Sequence, residues 1–389
     1  MTKTLTSVLT PLTPSEFYSQ YYSKKACHIK GMAGKLDGLF GFTSLNRILN
    51  TSPIPHPTMK MVLDGDLLYV TDSISIVDKC RDGATLIIDQ VDKYDEKVGK
   101  FATAVAAETG QPNQVTMYYS QQDNQGFSLH YDTHDVFILQ LSGFKNWIVL
   151  HPTIEFPLFH QKVHGSNPPQ EPYLECTLGP NDVLYIPRGH WHKAVATKEA
   201  SLHLTLGILE RTGIEFLGWL VDELREEVKW REAFPVTNFS ESLVPGDLSL
   251  ASYQHFENLK NLLIEKLNRP ELLKQYSEFC IARQKNPMPF NFPHQVLKNP
   301  TEDNAYRKFR RPSYQQAIIK KDIDQGFVEV IVWGKVFRFN LPAESLLSYI
   351  FSVTEFTDEE LKASLPKLSS DSIKTLLNSL ICEGIVMPE

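Results

Sequence analysis

Residues 135–141 (DVFILQL) and 182–187 (DVLYIP) are near-continuous apolar runs, too short for helices and bounded by Gly, Asn, Asp and Pro. QVTMYYS (114–120), NWIVLHP (146–152) and SLHLTLGIL (201–209) share their β-branched and aromatic character. Many short strands separated by turn residues, spread over residues 60–210, predict a β-sandwich or barrel. Ahead of them, residues 12–30 read as an opening helix. Thr13 or Ser15 offers its N-cap, and Phe17, Tyr18, Tyr21 and Tyr22 recur along it.

After residue 213 the spacing becomes helical. FLGWLVDELREEVKW (216–230) sets apolar residues at i, i+3, i+4 and i+7 with charges between them. HFENLKNLLIEKLNRPELLKQYSEFCIARQK (255–285) continues in the same period until Pro270, which has no amide hydrogen to give a helix, interrupts it. The Pro-rich PMPFNFPHQ (287–295) is aperiodic and reads as a linker. Beyond it, FVEVIVWGKVFRFNLP (327–342) predicts two strands around a Gly334-Lys335 turn, and SLLSYIFS (345–352) a helix. Residues 356–389 then give two helices and a closing strand after Gly384; Thr357 with Glu360 three residues on fits a capping box. This order of short elements suggests a winged-helix-like unit.

Composition adds bounds rather than detail. A length of 389 residues fits two or three domains, and 42% hydrophobic residues allow an ordinary core without metal or disulfide staples. The formal charge of −7 argues against a chain built to bind nucleic acid. Residues 301–389 hold 11 Lys and Arg against 13 Asp and Glu, so the C-terminal unit is expected to meet protein rather than nucleic acid. The short basic run Arg307, Lys308, Arg310 and Arg311 is the feature that keeps the other reading open. Five scattered cysteines without a CxxC pair fit a reducing compartment. No apolar leader and no run of 18 apolar residues is visible, so no membrane span is expected and the cytoplasm is the default location.

The sharpest chemical signal is His130-Tyr131-Asp132. Residues i and i+2 of a strand face the same way, so one strand end can present an imidazole and a carboxylate together. With one more histidine from elsewhere, two His and one carboxylate on one face of an octahedral ion leave three positions open, the arrangement of non-haem Fe(II) oxygenases. Such a dyad is weak alone, and its context adds the weight. QGFSLHYDTHDVFILQLSGFKNW (125–147) runs from the pair into an apolar strand, a Gly turn and a lysine. GPNDVLYIPRGHWHKAVA (179–196) runs through a turn, a strand and a Pro-Arg-Gly corner into histidines. His134, His151, His160 and His164 lie nearby and read as structural or surface residues.

These two segments together resemble the Jumonji-C oxygenases, in the ribosomal-oxygenase branch of the cupin superfamily. The matching stretches are His130 to Trp147, Asn181 to Ala194 and Ser201 to Thr205, and PLTPSEFYSQYYSKKACHIKG (11–31) is similar to that branch's N-terminus. The resemblance implies a double-stranded β-helix (jelly-roll, cupin) catalytic domain over 1–212, a helical dimerisation region over 213–298 and a winged-helix-like domain over 299–389. It implies a homodimer, with Fe(II), the co-substrate 2-oxoglutarate and O2. Its ligands carry over to His130, Asp132 and His192. His190 competes for the third place, but the family's count from Pro187-Arg188-Gly189 favours His192. Lys145 matches the basic residue that holds the far carboxylate of 2-oxoglutarate, a role that suits a cation because a buried carboxylate needs one. Tyr118, Thr116 and His203 carry over as co-substrate residues; Thr116 stands where some relatives have Asn, and Gly207 where some have Ser.

The expected reaction is hydroxylation of an amino-acid side chain in a protein, arginine or histidine of a ribosomal protein being favoured over histone demethylation. Asp123 and Asp135 are candidates for carboxylates near the mouth of the site that would suit a cationic residue. Hydroxylation of another peptide, such as a natural-product precursor, is the alternative substrate reading. An inactive cupin scaffold and a cupin isomerase or dioxygenase without 2-oxoglutarate are the alternatives of other classes, and Lys145 speaks against both.

Overall fold

The computed structural model describes residues 2–68, 73–122, 126–161, 167–197, 199–235, 250–283, 290–298, 300–303, 307–312, 315–332, 334–366 and 368–389. Its chain forms two compact units, 1–210 and 211–389. Asp123, His164 and residues 287–289 of the expected linker lie outside the described residues.

The first unit is a two-sheet β fold. Its strands are β1 (Cys27–Ile29), β2 (Met59–Leu63), β3 (Asp66–Leu68), β4 (Thr85–Ile88), β5 (Asn113–Ser120), β6 (Asp135–Ser142), β7 (Lys145–Leu150), β8 (Pro172–Leu178), β9 (Val183–Ile186), β10 (Trp191–Ala196) and β11 (Ser201–Ile208). The large sheet runs β1-β9-β6-β11-β5-β4-β2-β3 and the small one β10-β7-β8, with antiparallel pairs throughout. Alternation along the strands explains the continuous apolar runs. Phe137 and Leu139 of β6, with Val183 and Tyr185 of β9, face a core shared with the helices; Val136, Ile138, Leu184 and Ile186 meet Trp147, Val149 and Ala194 of the small sheet. Both faces of the central strands are buried, so neither carries a polar stripe.

The opening segment differs from the single helix expected. It holds two short helices, Leu5–Leu9 and Pro14–Gln20, and then β1. Thr13 caps the second helix and Glu16 completes the capping box. Ser23 then adopts a left-handed backbone (φ 55) and gives its N–H to the Tyr185 hydroxyl at 2.8 Å, turning the chain into β1 beside β9. The helix Glu96–Thr109, capped by Asp95, buries Val98, Phe101, Ala102 and Val105 in the same core.

The second unit opens with helices Gly213–Leu224, Val228–Arg231, Leu250–Leu267 and Leu272–Ala282, the last two separated around Pro270 as expected. Trp219, Leu220, Leu224 and Leu272 form their small core. A separate core gathers Phe309, Val330, Leu347, Phe356, Leu377 and Ile381 from residues 308–388. There the strands Phe327–Val332 and Lys335–Asn340 pair as the expected hairpin, though Lys335 opens the second strand rather than sitting in the turn, and Thr357 with Glu360 makes the expected capping box. The basic run is not a free patch. Lys308 pairs with Glu355 and Glu389, and Arg310 with Glu389. Arg311 is buried and donates to the carbonyls of Ile350, Phe351 and Gln315. Among the described residues no helix is long and apolar enough to cross a membrane, and all five cysteines are free thiols.

Candidate metal centre

His130, Asp132 and His192 come together with one potential ligand atom each, all within 4.8 Å of one another. His130 and Asp132 are not presented by a regular strand end, as the HxD spacing suggested, whereas His192 lies on β10. His130 and His192 form an isolated backbone bridge, each N–H donating to the other's carbonyl at 3.1 and 2.7 Å, and Asp132 follows two residues on, just ahead of a bend at 133–134. Gly189 donates its N–H to the Asp132 carbonyl at 2.8 Å, so the Pro-Arg-Gly corner fixes the carboxylate's backbone as well as the count to His192. Gly189 has φ +83, and a Cβ there would lie 2.7 Å from the Ile154 carbonyl oxygen and 2.8 Å from Pro157 Cδ. That corner needs glycine on both counts.

The imidazoles are oriented by backbone. His130 Nδ1 donates to the Ser128 carbonyl at 2.8 Å and His192 Nδ1 to the His190 carbonyl at 3.0 Å, which leaves each Nε2 lone pair for a ligand. His192 Nε2 lies 3.6 Å from Asp132 Oδ2. Burial, followed by the neighbouring His130, pushes the His192 pKa down to about 4, so its neutral, metal-binding form dominates at neutral pH. His190, the competitor, points elsewhere: its Nδ1 bonds the Tyr173 hydroxyl at 2.7 Å.

A narrow inner chamber runs from these three residues to Lys145, with Tyr118, Trp147 and His203 among its walls. Lys145 is 3% exposed, and its Nζ donates to Ser120 Oγ at 3.1 Å, which in turn bonds Thr85 Oγ1 at 2.9 Å. Burial lowers its pKa to about 8. Tyr118 stacks flat on His203, ring centroids 4.8 Å apart. His203 is held neutral by burial and by the Lys145 charge. A buried cation lacking a carboxylate partner among the described residues, beside a His-Asp-His cluster, suits a chelating dicarboxylate with one acid group at the metal and one at the lysine. The residues present therefore fit an Fe(II) ion and 2-oxoglutarate.

A JmjC-domain family model matches residues 90–216, the stretch that carries His130, Asp132, His192, Lys145, Tyr118, Trp147 and His203. This stretch is a JmjC domain. The chain is similar to ribosomal oxygenase 1 of Bos taurus, 26% identical over 247 residues that make 59% of this chain and 37% of that protein. It is also similar to the bifunctional lysine-specific demethylase and histidyl-hydroxylase NO66 of Drosophila persimilis, 23% identical over 319 residues, 76% of this chain and 46% of that one. The chain thus spans less than half the length of these two relatives. Its fold is that of YcfD, a ribosomal oxygenase from Escherichia coli solved in complex with cobalt and 2-oxoglutarate. The TM-score is 0.62 at 19% identity, over 97% of this chain and 99% of that one.

Outside the chamber, the JmjC unit opens a cleft of about 930 Å³ that reaches His130 and Asp132. Thr116 belongs to this cleft rather than to the chamber: its hydroxyl donates to Asp89 at 3.3 Å, and Asp89 also pairs with Lys60 at 2.5 Å. His134 lines the cleft against Gly207, where a Cβ would stand 2.7 Å from its ring. Sequence reasoning missed Lys60, Asp89 and Gln90 because they come from β2 and the end of β4, far from any motif. Asp135 is not a mouth residue. It is 1% exposed, accepts from the Tyr185 hydroxyl and from Arg188 N–H (2.9 Å), and its own N–H donates to Glu210. Burial and the Asp135 charge push the Glu210 pKa up to about 8. This buried acid pair anchors β6 to the Pro-Arg-Gly corner.

Proposed function

We propose that this protein is an Fe(II)- and 2-oxoglutarate-dependent oxygenase that hydroxylates an arginine or histidine side chain of a ribosomal protein. The observation that carries the reading is the juxtaposition of His130, Asp132 and His192 with the buried, carboxylate-free Lys145 in one chamber. The family match and the YcfD-like fold support it, and the ribosomal oxygenase and histidyl-hydroxylase relatives support the substrate class. When bound, Fe(II), 2-oxoglutarate and O2 supply the oxidising power: substrate C–H, O2 and 2-oxoglutarate become substrate C–OH, succinate and CO2.

The chain's own part is positioning. His130, Asp132 and His192 would hold the metal from one side and leave the side toward the cleft open. Lys145 grips the distal carboxylate, and Tyr118 and His203 wall the co-substrate. Thr116, with Asp89 and Lys60, lies on the substrate side. The cleft takes an extended peptide and places one side chain against the open face, while the narrow chamber leaves little room for water beside the co-substrate. Intact mass spectrometry of ribosomal proteins, from cells with and without the gene, is expected to show one protein gaining a single oxygen. An unchanged set of masses would sink the ribosomal substrate.

We read the chain further as three domains, 1–212, 213–298 and 299–389, the last winged-helix-like and cytoplasmic with the rest. Helix Gly213–Leu224 exposes Ile214, Leu217 and Val221, spaced i, i+3 and i+7, and this apolar stripe supports its role in a homodimer. Light scattering at twice the monomer mass, lost in Leu217→Glu, is the expected result; a monomeric wild type would refute it. The pairing of Lys308 and Arg310 with acids supports protein contact over nucleic acid for the C-terminal domain.

A further inference from the structure

We infer that Trp147 is a binding residue for the 2-oxo acid, its indole Nε1–H donating to a carboxylate oxygen in the inner chamber. The inference rests on the oxygenase reading above. Lys145 and Trp147 are residues i and i+2 of β7 and so share a face. On β10, Ala196 and Ala194 stand opposite them, and His192 stands two residues further along, opposite Val149. With a rise of about 3.3 Å per residue, the indole lies between the ammonium of Lys145 and the metal-facing His192. The two alanines leave the space beside it for a ligand.

Trp147 is 6% exposed, and its Nε1 is buried with no hydrogen-bond partner among the described residues. An indole N–H can only donate, and a buried donor left unmade is a defect that folds rarely tolerate without reason. The same wall holds a second orphan, His203 Nδ1, with the two rings edge to face at 5.9 Å. Among the described residues Asp132 is the one carboxylate that lines the chamber, and that group is committed to the metal. An unsatisfied indole donor and an ammonium that no acid among the described residues neutralises, both in the wall of one chamber, call for an anion rich in acceptors. A dicarboxylate meets both demands with one molecule.

Trp147→Phe keeps the ring and removes the donor. Calorimetric titration of 2-oxoglutarate into the Mn(II)-loaded full chain, without oxygen, is expected to show affinity weakened roughly 10-fold or more, with Mn(II) affinity unchanged. The ligand-free variant is expected to melt at the wild-type temperature or above it, because the orphaned donor is gone, and to gain less from added 2-oxoglutarate. A purely structural tryptophan would give the opposite, a lower ligand-free melting temperature with wild-type affinity, and that pair of results overturns the inference. So does unchanged affinity by itself; in both cases the oxygenase reading stands. If the wild-type protein binds no 2-oxoglutarate, the oxygenase reading falls and takes the inference with it.

Discussion

Asp132→Ala is expected to bring 2-oxoglutarate turnover, read as succinate release, to the background of metal-free protein while the melting temperature stays almost unchanged. The activity loss follows from the ligand count. Removing an outer partner of a metal ligand costs roughly 10- to 100-fold in affinity or activity, and Asp132 is the single anionic ligand of the cluster, so its removal should exceed about 100-fold. The fold should survive because main-chain bonds hold this corner in place. The Gly189 N–H reaches the Asp132 carbonyl, and the His130–His192 bridge is backbone to backbone. Neither bond needs the carboxylate. Succinate release at the wild-type rate would remove Asp132 from the centre, and a collapsed melting temperature would show that the side chain carries the fold.

Lys145→Met is expected to weaken 2-oxoglutarate binding at least about 100-fold, since breaking a buried ion pair by removing one partner costs about 3–5 kcal/mol. The pH dependence separates charge from shape. Burial holds the Lys145 pKa at about 8 in the ligand-free protein, so the cation is present below that pH and lost above it. Affinity in the wild type should therefore fall about tenfold per pH unit above 8, whereas the Met variant should show no such slope. Stability moves the other way. The folded pKa lies below the ordinary 10.5, so the unfolded chain binds more protons between about 8 and 10.5, and this residue's contribution rises with pH across that window. At neutral pH the Met variant, freed of a buried ammonium, should melt at or above the wild type. A wild-type affinity that is flat from pH 7 to 10 would exclude Lys145 as the carboxylate partner.

The β framework was legible where burial is two-sided. DVFILQL and DVLYIP read as strands because both faces of β6 and β9 are covered. β10 was harder to see: in WHKAVA the inward residues include a histidine and small alanines, which leave no apolar signature. β1 to β4 and β8 are short or half-exposed, and the helices between residues 42 and 109 carry no motif, so neither stood out. At the site, His130, Asp132 and His192 could be read because their spacing is tied to a Pro-Arg-Gly corner. The carbonyls of Ser128 and His190 that aim the imidazoles could not, since any residue supplies a carbonyl. Asp135 misled for a related reason. A charge at a strand start reads as solvated, and its partners Tyr185 and Arg188 arrive about fifty residues later. Trp147 entered only as the end of a matching stretch, and the missing partner of its N–H among the described residues is what marks it out.

The backbone bridge between His130 and His192 makes the pocket separable from its chemistry. Both arms of the site are tied by main-chain bonds that any amino acid could make. A descendant of this gene that exchanged one ligand would therefore lose the reaction in a single step and keep a rigid, peptide-sized recess. Inactive binding proteins on this scaffold are a short mutational walk away, and a ligand triad has to be read from the side chains themselves, since the surrounding framework would look the same without it.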